Sequence, residues 1–143
     1  MYLYLMDSDH ISLISRGGEL SERIIAHIAV LPPDSVAVSL ISYEEQVRGW
    51  MAEIARMQSV DRQMMAYSRL DRMREYYCTT PVLPFDEKAL AQFQSLWLQR
   101  LRVGTMDLKI AATALAHNAT LITRNAQDFS KVPGLTLEDW SLE

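Results

Sequence analysis

The sequence predicts an α/β fold in which helices cover both faces of a short, mostly parallel central sheet. Two observations lead there. Short apolar runs alternate along the chain with longer segments whose apolar residues recur at helical spacing. The short runs are apolar throughout, as strands buried on both faces require, rather than alternately apolar and polar.

Tyr2 to Met6 reads as the first strand, because Asp7-Ser8-Asp9 stops the run at once. His10 to Arg16 follows as a short helix closed by Gly17-Gly18. A second helix spans Glu19 to about Leu31, with Leu20, Ile24, Ile25 and Ile28 on one face and Pro32-Pro33 closing it. Val36 to Ile41 is the second strand, β-branched at alternate positions. Ser42 opens a third helix with the stripe Val47, Trp50, Met51 and Ile54, and a fourth carries Val60, Met64, Tyr67, Leu70, Met73 and Tyr77. Pro81 to Pro84 leaves room only for a minimal strand. Asp86 caps the fifth helix, whose stripe is Ala89, Leu90, Phe93, Leu96, Trp97 and Leu101, and Gly104 ends it. Thr105 to His117 is an alanine-rich helix thin enough to lie close on a sheet. Thr120 to Thr123 and Gly134 to Leu137 supply the last two strands.

Length and composition narrow the function classes. The 143 residues fit one domain, residues 1–143, and a hydrophobic content of 49% supplies a core without disulfide or metal staples. Cys78 stands alone, which excludes an intramolecular bridge and makes a reducing compartment, the cytoplasm, the default. No apolar run approaches the roughly 20 residues of a membrane helix. The N-terminus has neither the basic stretch nor the small-residue cleavage site of a signal peptide. With 14 Lys+Arg against 18 Asp+Glu the net charge is −4, so the chain does not coat nucleic acid by bulk charge.

In parallel sheets ligands bind beyond the carboxyl ends of the strands, near the point where strand order reverses. Asp7, Ser8 and Asp9 follow the first strand, and Glu44 and Glu45 lie in the first turn after the second. Asn125 and Asp128 follow the Thr120–Thr123 strand, and Asp107 starts the helix that leads into it. Carboxylates converging on one rim repel each other unless a cation sits among them or some hold protons. Oxygen ligands without a His or Cys cluster favour a hard ion, Mg²⁺ or Mn²⁺. Through such an ion a net-negative protein can engage a polyanion.

Each of these residues also has a local use. Ser42-Tyr43-Glu44-Glu45 has capping-box spacing, so Glu45 taken alone reads as a cap. Asp107, two residues after Thr105, would complement the helix dipole. Asn125 to Asp128 has cap-like spacing, and Ser8 or Asp9 would cap the first helix. Asp7 alone lacks an evident local use, because a carboxylate at the end of a buried strand wants a partner.

The blocks that hold these residues resemble the PIN-domain ribonucleases, and among them the VapC-type toxins. Tyr4-Leu5-Met6-Asp7-Ser8-Asp9 resembles the family's opening strand and its Asp-Thr-Asp/Asn start. Val38 to Gly49 resembles the second block, Asp107 to Ala112 the third, and Leu121 to Phe129 with Val132 to Leu135 and Glu138 to Trp140 the last. The blocks occur in family order and span nearly the whole chain.

The resemblance implies a PIN-like three-layer α/β/α domain and a metal-dependent endoribonuclease, the toxin of a toxin–antitoxin pair. By position, Asp7, Glu45 and Asp107 are the catalytic, metal-binding acids, alignment on Gly49 selecting Glu45 over Glu44. The fourth acidic position falls on Asn125; Asp128 would restore its charge, and the number of ions, one or two, stays open. Ser8 occupies the family's hydroxyl position, and Asp9 matches the Asp variant of the same motif. The implied partners are an RNA substrate (transfer RNA is a common family target), a cognate antitoxin protein and a second copy of the chain in a homodimer, with no membrane.

Other features carry weaker expectations. Arg62, Arg69 and Arg72 share a helical surface and read as a solvated face partnered by Asp71 and Glu75. Met51, Met57, Met64, Met65 and Met73 read as core filler or as an adaptable interface. His10 and His117 read as structural. Two rival functions remain open: a haloacid-dehalogenase-type phosphatase using Asp7 and Asp9, and a catalytically inactive PIN-like binding module.

Overall fold

The short apolar runs form strands, and all of them run parallel. The computed structural model describes residues 4–142, so Tyr2 and Leu3 of the expected first strand lie outside the described residues. The strands are β1 (Tyr4–Met6), β2 (Val36–Ser39), β3 (Val82–Leu83), β4 (Thr120–Ile122) and β5 (Leu137–Glu138), in the order β3-β2-β1-β4-β5. The helices are α1 (Ser8–Arg16), α2 (Glu19–Ala29), α3 (Leu40–Arg56), α4 (Val60–Thr79), α5 (Glu87–Leu98), α6 (Thr105–Ala116) and α7 (Ala126–Phe129).

Successive strand residues point to opposite faces, and both faces are buried. Leu5, Ala37 and Leu121 pack with Leu96 of α5 and with Leu108, Ile110 and the alanines of α6. Met6, Val38 and Ile122 pack on the other side with Ile11 and Leu13 of α1, Ile24 of α2 and Tyr77 of α4. This is the three-layer α/β/α arrangement that the family resemblance implied. Ala111, Ala112 and Ala114 are fully buried, so α6 lies close on the sheet as its composition predicts.

Element ends depart from the sequence expectations, each for a local reason. β2 stops at Ser39, whose side chain accepts the Ser42 N–H at 2.9 Å and so starts α3 at Leu40. α2 ends at Ala29, short of Leu31 and of the prolines behind it, and Ile25 on its expected apolar face is half exposed. α5 ends at Leu98: Arg100 and Arg102 take left-handed backbone (φ 51° and 58°), which turns Leu101 and Val103 toward the core, and Gly104 begins α6. Gly134 turns at φ 78°, moving the last strand to Leu137–Glu138. Gly17 (φ 73°) closes α1 as expected. The α4 stripe meets the core only near its C-terminal end, through Met73, Tyr76 and Tyr77, whereas Val60, Met64 and Tyr67 are exposed.

β2 and β3 lie on one side of β1, and β4 and β5 on the other. Strand order therefore reverses between β1 and β4, and the crevice beyond their carboxyl ends is the expected ligand position. The Asp7 N–H donates to the Ile122 carbonyl at 3.0 Å and ties the two sides together at that rim.

Candidate active site

Asp7 leaves β1 and turns its carboxylate back on the chain. Its Oδ1 accepts the His10 N–H at 2.9 Å, so Asp7 is the N-cap of α1, with Ser8 and Asp9 inside the first turn. Asp7 thus has the local use that the sequence did not disclose, and neither Ser8 nor Asp9 is the cap. Capping engages one oxygen. Oδ2 accepts no hydrogen bond among the described residues, although the residue is buried.

Glu45 has the opposite history. The capping box expected at Ser42 does not form, because Ser39 caps α3 and Glu45 sits in the second turn. Its Oε1 accepts instead from Ser8 Oγ at 2.9 Å, across from α3 to α1. Glu44 pairs with Arg48 at 2.6 Å along the helix surface, which leaves Glu45 as the acid that turns toward Ser8. The adjacent Gln46 donates to Ser8 O and Ser12 Oγ, each at 3.4 Å, and accepts the Tyr77 hydroxyl at 2.9 Å. Burial, with Tyr76, Glu45 and Tyr43 nearby, pushes the Tyr77 phenol well above its ordinary range, so it stays a donor. Gln46 and Tyr77 brace α1 and α3; their sequence signal is only adjacency to Glu45 and a place at the end of the α4 stripe.

Asp107 is half-buried in the first turn of α6, a helix capped by Gly104 rather than by Thr105. Burial pushes its carboxyl up to about 6, and the charges of Glu45, Asp128 and Asp7 add to the rise. Three acids from separate parts of the chain, Glu45, Asp128 and Asp7, therefore act on the Asp107 proton, the mutual repulsion expected of a converging rim.

Asn125 caps α7 through Oδ1, which accepts the Asp128 N–H at 3.4 Å. Its Nδ2 donates to Asp128 Oδ2 at 3.1 Å and, with Lys131, holds the Asp128 carboxyl below the usual carboxylate range. Asp9 is gripped by Arg124, with Nε at 2.6 Å and Nη2 at 2.9 Å, which lowers its carboxyl in the same way. Arg124 follows β4 as Asp9 follows β1, so this ion pair spans the switch point. No sequence spacing announces it.

Among the described residues, one trio of His, Cys, Asp and Glu side chains has ligand atoms all within 4.8 Å of one another: Asp7, Asp9 and His10. Asp7, Glu45 and Asp107 do not close to that distance as a set. The compact trio is already partnered, since Arg124 occupies both Asp9 oxygens and His10 Nε2 accepts the Trp140 N–H at 3.3 Å. Asp7, Glu45 and Asp107 instead offer carboxylate oxygens, with Arg124 near enough to Asp7 to interact with its charge, and an all-oxygen donor set fits a hard divalent cation.

Arg62, Arg69 and Arg72 are exposed, as a solvated face requires, but the expected acidic partners are engaged elsewhere. Asp71 and Glu75 lie against Arg74, and Arg69 lies over the Trp50 ring at 5.9 Å. No helix among the described residues is long and apolar enough to cross a membrane.

The sequence profile of the PIN domain matches residues 8–135. Ribonuclease VapC1 of Haemophilus influenzae (strain R2866) is 25% identical over 146 residues, covering 97% of this chain and 98% of that protein. Ribonuclease VapC2 of Rickettsia felis is 50% identical over 40 residues, 28% of this chain and 30% of its own. The solved structure of VapBC-1 from nontypeable Haemophilus influenzae superposes with a TM-score of 0.71 at 26% identity, covering 98% of this chain and 99% of that one. FitAcB from Neisseria gonorrhoeae shares the fold with the same TM-score at 24% identity, over 98% of this chain and all of that one (100%).

Proposed function

The chain belongs to the PIN-domain family, and from that premise we propose that it is a VapC-type endoribonuclease, the toxin of a toxin–antitoxin pair. It hydrolyses RNA phosphodiesters at an Mg²⁺ or Mn²⁺ ion held by Asp7, Glu45 and Asp107. The observation that supports this most is the Asp107 carboxyl, pushed up to about 6 by burial first and then by the charges of Glu45, Asp128 and Asp7. Negative charge gathered on a strand-end rim suits a divalent ion and, through it, a phosphodiester.

When bound, the ion supplies Lewis acidity toward the phosphodiester and lowers the pKa of a coordinated water. The chain's own groups do the rest. Asp7 holds one oxygen on the His10 N–H and keeps the other for the site. The Ser8 hydroxyl orients Glu45. Asp107 sheds its proton when a cation offsets the surrounding charge. Asn125 contributes a neutral group where an acid would add repulsion, and Asp128 supplies charge beside it. Asp9 serves through its ion pair with Arg124, which leaves it poorly placed as the acid of a phosphatase and favours the ribonuclease over that rival.

The partners are RNA, transfer RNA among the candidates, an antitoxin protein and a second copy of this chain, in the cytoplasm, with residues 1–143 forming one PIN domain. Exposed Met51 on α3 and Met64, Met65 and Tyr67 on α4 offer an adaptable apolar surface for such partners.

The test is incubation of purified protein with total RNA, with Mn²⁺ or with chelator, beside Glu45→Gln. The expected result is cleavage only with metal and a loss of about 100-fold or more in the variant. Cleavage that survives the chelator contradicts the proposal, and a protein that binds its partner but cuts no RNA in Mn²⁺ is the inactive binding module instead.

A further inference from the structure

His10 reads from the sequence as structural, yet its fully buried ring lies between Asp7 and the C-terminal segment of the chain. On one side, Nδ1 stands 3.4 Å from Asp7 Oδ1 and, although buried, has no hydrogen-bond partner among the described residues. On the other, Nε2 accepts the Trp140 N–H at 3.3 Å. Asp139 Oδ1 also lies 3.4 Å from Nε2, but that oxygen is taken by the Ser141 N–H at 2.9 Å and the Ser141 hydroxyl at 2.5 Å. A ring nitrogen that accepts a hydrogen bond carries no proton, so the imidazole proton sits on Nδ1 and faces Asp7.

The segment that sets this tautomer is firmly docked. Trp140 is buried, stacks on His27 at 5.5 Å and 3°, and lies against Tyr4 at 5.1 Å. Its Nε1 donates to Glu138 Oε2 at 2.9 Å, and Arg23 Nη1 donates to Ser141 O at 3.1 Å.

We propose that His10 is a positioning residue for Asp7: its ring, set by the docked C-terminal segment, holds an otherwise unpartnered Nδ1–H beside Asp7 Oδ1, and closing that contact leaves Oδ2 to the site. The inference rests on the reading of Asp7 as a metal-binding acid. Asp7 Oδ1 accepts the His10 backbone N–H at 2.9 Å, and the ring Nδ1 of the same residue stands beside it at 3.4 Å. A partner of this kind behind a ligating carboxylate fixes its orientation and basicity, and losing one costs about 10–100-fold in metal affinity or activity.

The test has two parts. Long-range ¹H–¹⁵N NMR of wild-type protein is expected to show the Nδ1–H tautomer at His10; the Nε2–H tautomer overturns the inference, whatever the variants do. Mn²⁺ titration then compares wild type with His10→Leu, which fills the space without a donor, and with His10→Asn, whose amide stands near the Nδ1 position. His10→Leu is expected to weaken Mn²⁺ binding by about 10–100-fold and to lower kcat on RNA with little change in KM, while His10→Asn stays close to wild type. A His10→Leu protein with a lowered melting temperature but the wild-type Mn²⁺ constant has lost structure only and overturns the inference. If His10→Leu does not fold, the wild-type tautomer decides. Wild-type protein that binds no Mn²⁺ overturns the metal reading and this inference with it; wild-type binding beside an unchanged His10→Leu constant overturns this inference alone.

Discussion

Asp107 carries the clearest electrostatic signature of the site. Its carboxyl titrates at about 6 in the folded chain against an ordinary value of 3.8. Between those values the folded state keeps a proton that the unfolded state has lost, so stability falls as pH rises through the window. The loss is complete above about 6 and absent below about 3.8. Asp107→Asn removes the penalty. In metal-free protein it is expected to raise stability on the order of 1 kcal/mol at pH 8, after allowance for solvent screening, and to change little at pH 4. Denaturant unfolding at the two pH values checks this, and an equal effect at both contradicts it. The sequence disclosed Asp7, Glu45 and Asp107 as rim acids and placed Asp107 correctly in the first turn of its helix, but it assigned the local uses of Asp7 and Glu45 wrongly. Capping depends on which of several adjacent polar residues turns back, and Asp7-Ser8-Asp9 and Ser39-Leu40-Ile41-Ser42 each offer more than one choice.

At the scale of elements, apolar period and composition were legible: strand-like runs, the alanine-rich α6 and the Asp86 cap of α5 all occur. The element ends were not, because single side chains and backbone turns fix them, as at Ser39, Arg100 and Gly134. The α4 stripe was over-read, since helical spacing shows which residues share a face but not how far that face reaches along the core. α3 carries a glycine in its interior without a packing reason. A Cβ added at Gly49 meets nothing within 4 Å, and the residue is exposed. Gly49→Ala is therefore expected to stabilise the protein by about 0.5–1 kcal/mol through reduced backbone entropy, read as a raised denaturation midpoint with cleavage unchanged. A lowered midpoint would mean that Gly49 serves a contact outside this chain's own packing.

For the whole molecule, the alternation of strands and helices predicted the layers, but strand order had to come from three dimensions. That order brings β1 beside β4 and so makes neighbours of groups far apart in the chain: Asp9 with Arg124, and Asp7 N–H with the Ile122 carbonyl. The acids were legible as a set because each follows or precedes a strand; their partners were not, because nothing local links position 9 to 124 or 10 to 140. The central claim concerns where a divalent ion sits, and the two acid-rich arrangements on this rim give different answers. Anomalous diffraction from crystals of the wild-type protein soaked in Mn²⁺ locates it directly. The expected result is a manganese peak bounded by the Asp7, Glu45 and Asp107 carboxylates, with Asp9 still on Arg124; a peak held by Asp7, Asp9 and His10, or none at the rim, contradicts the account.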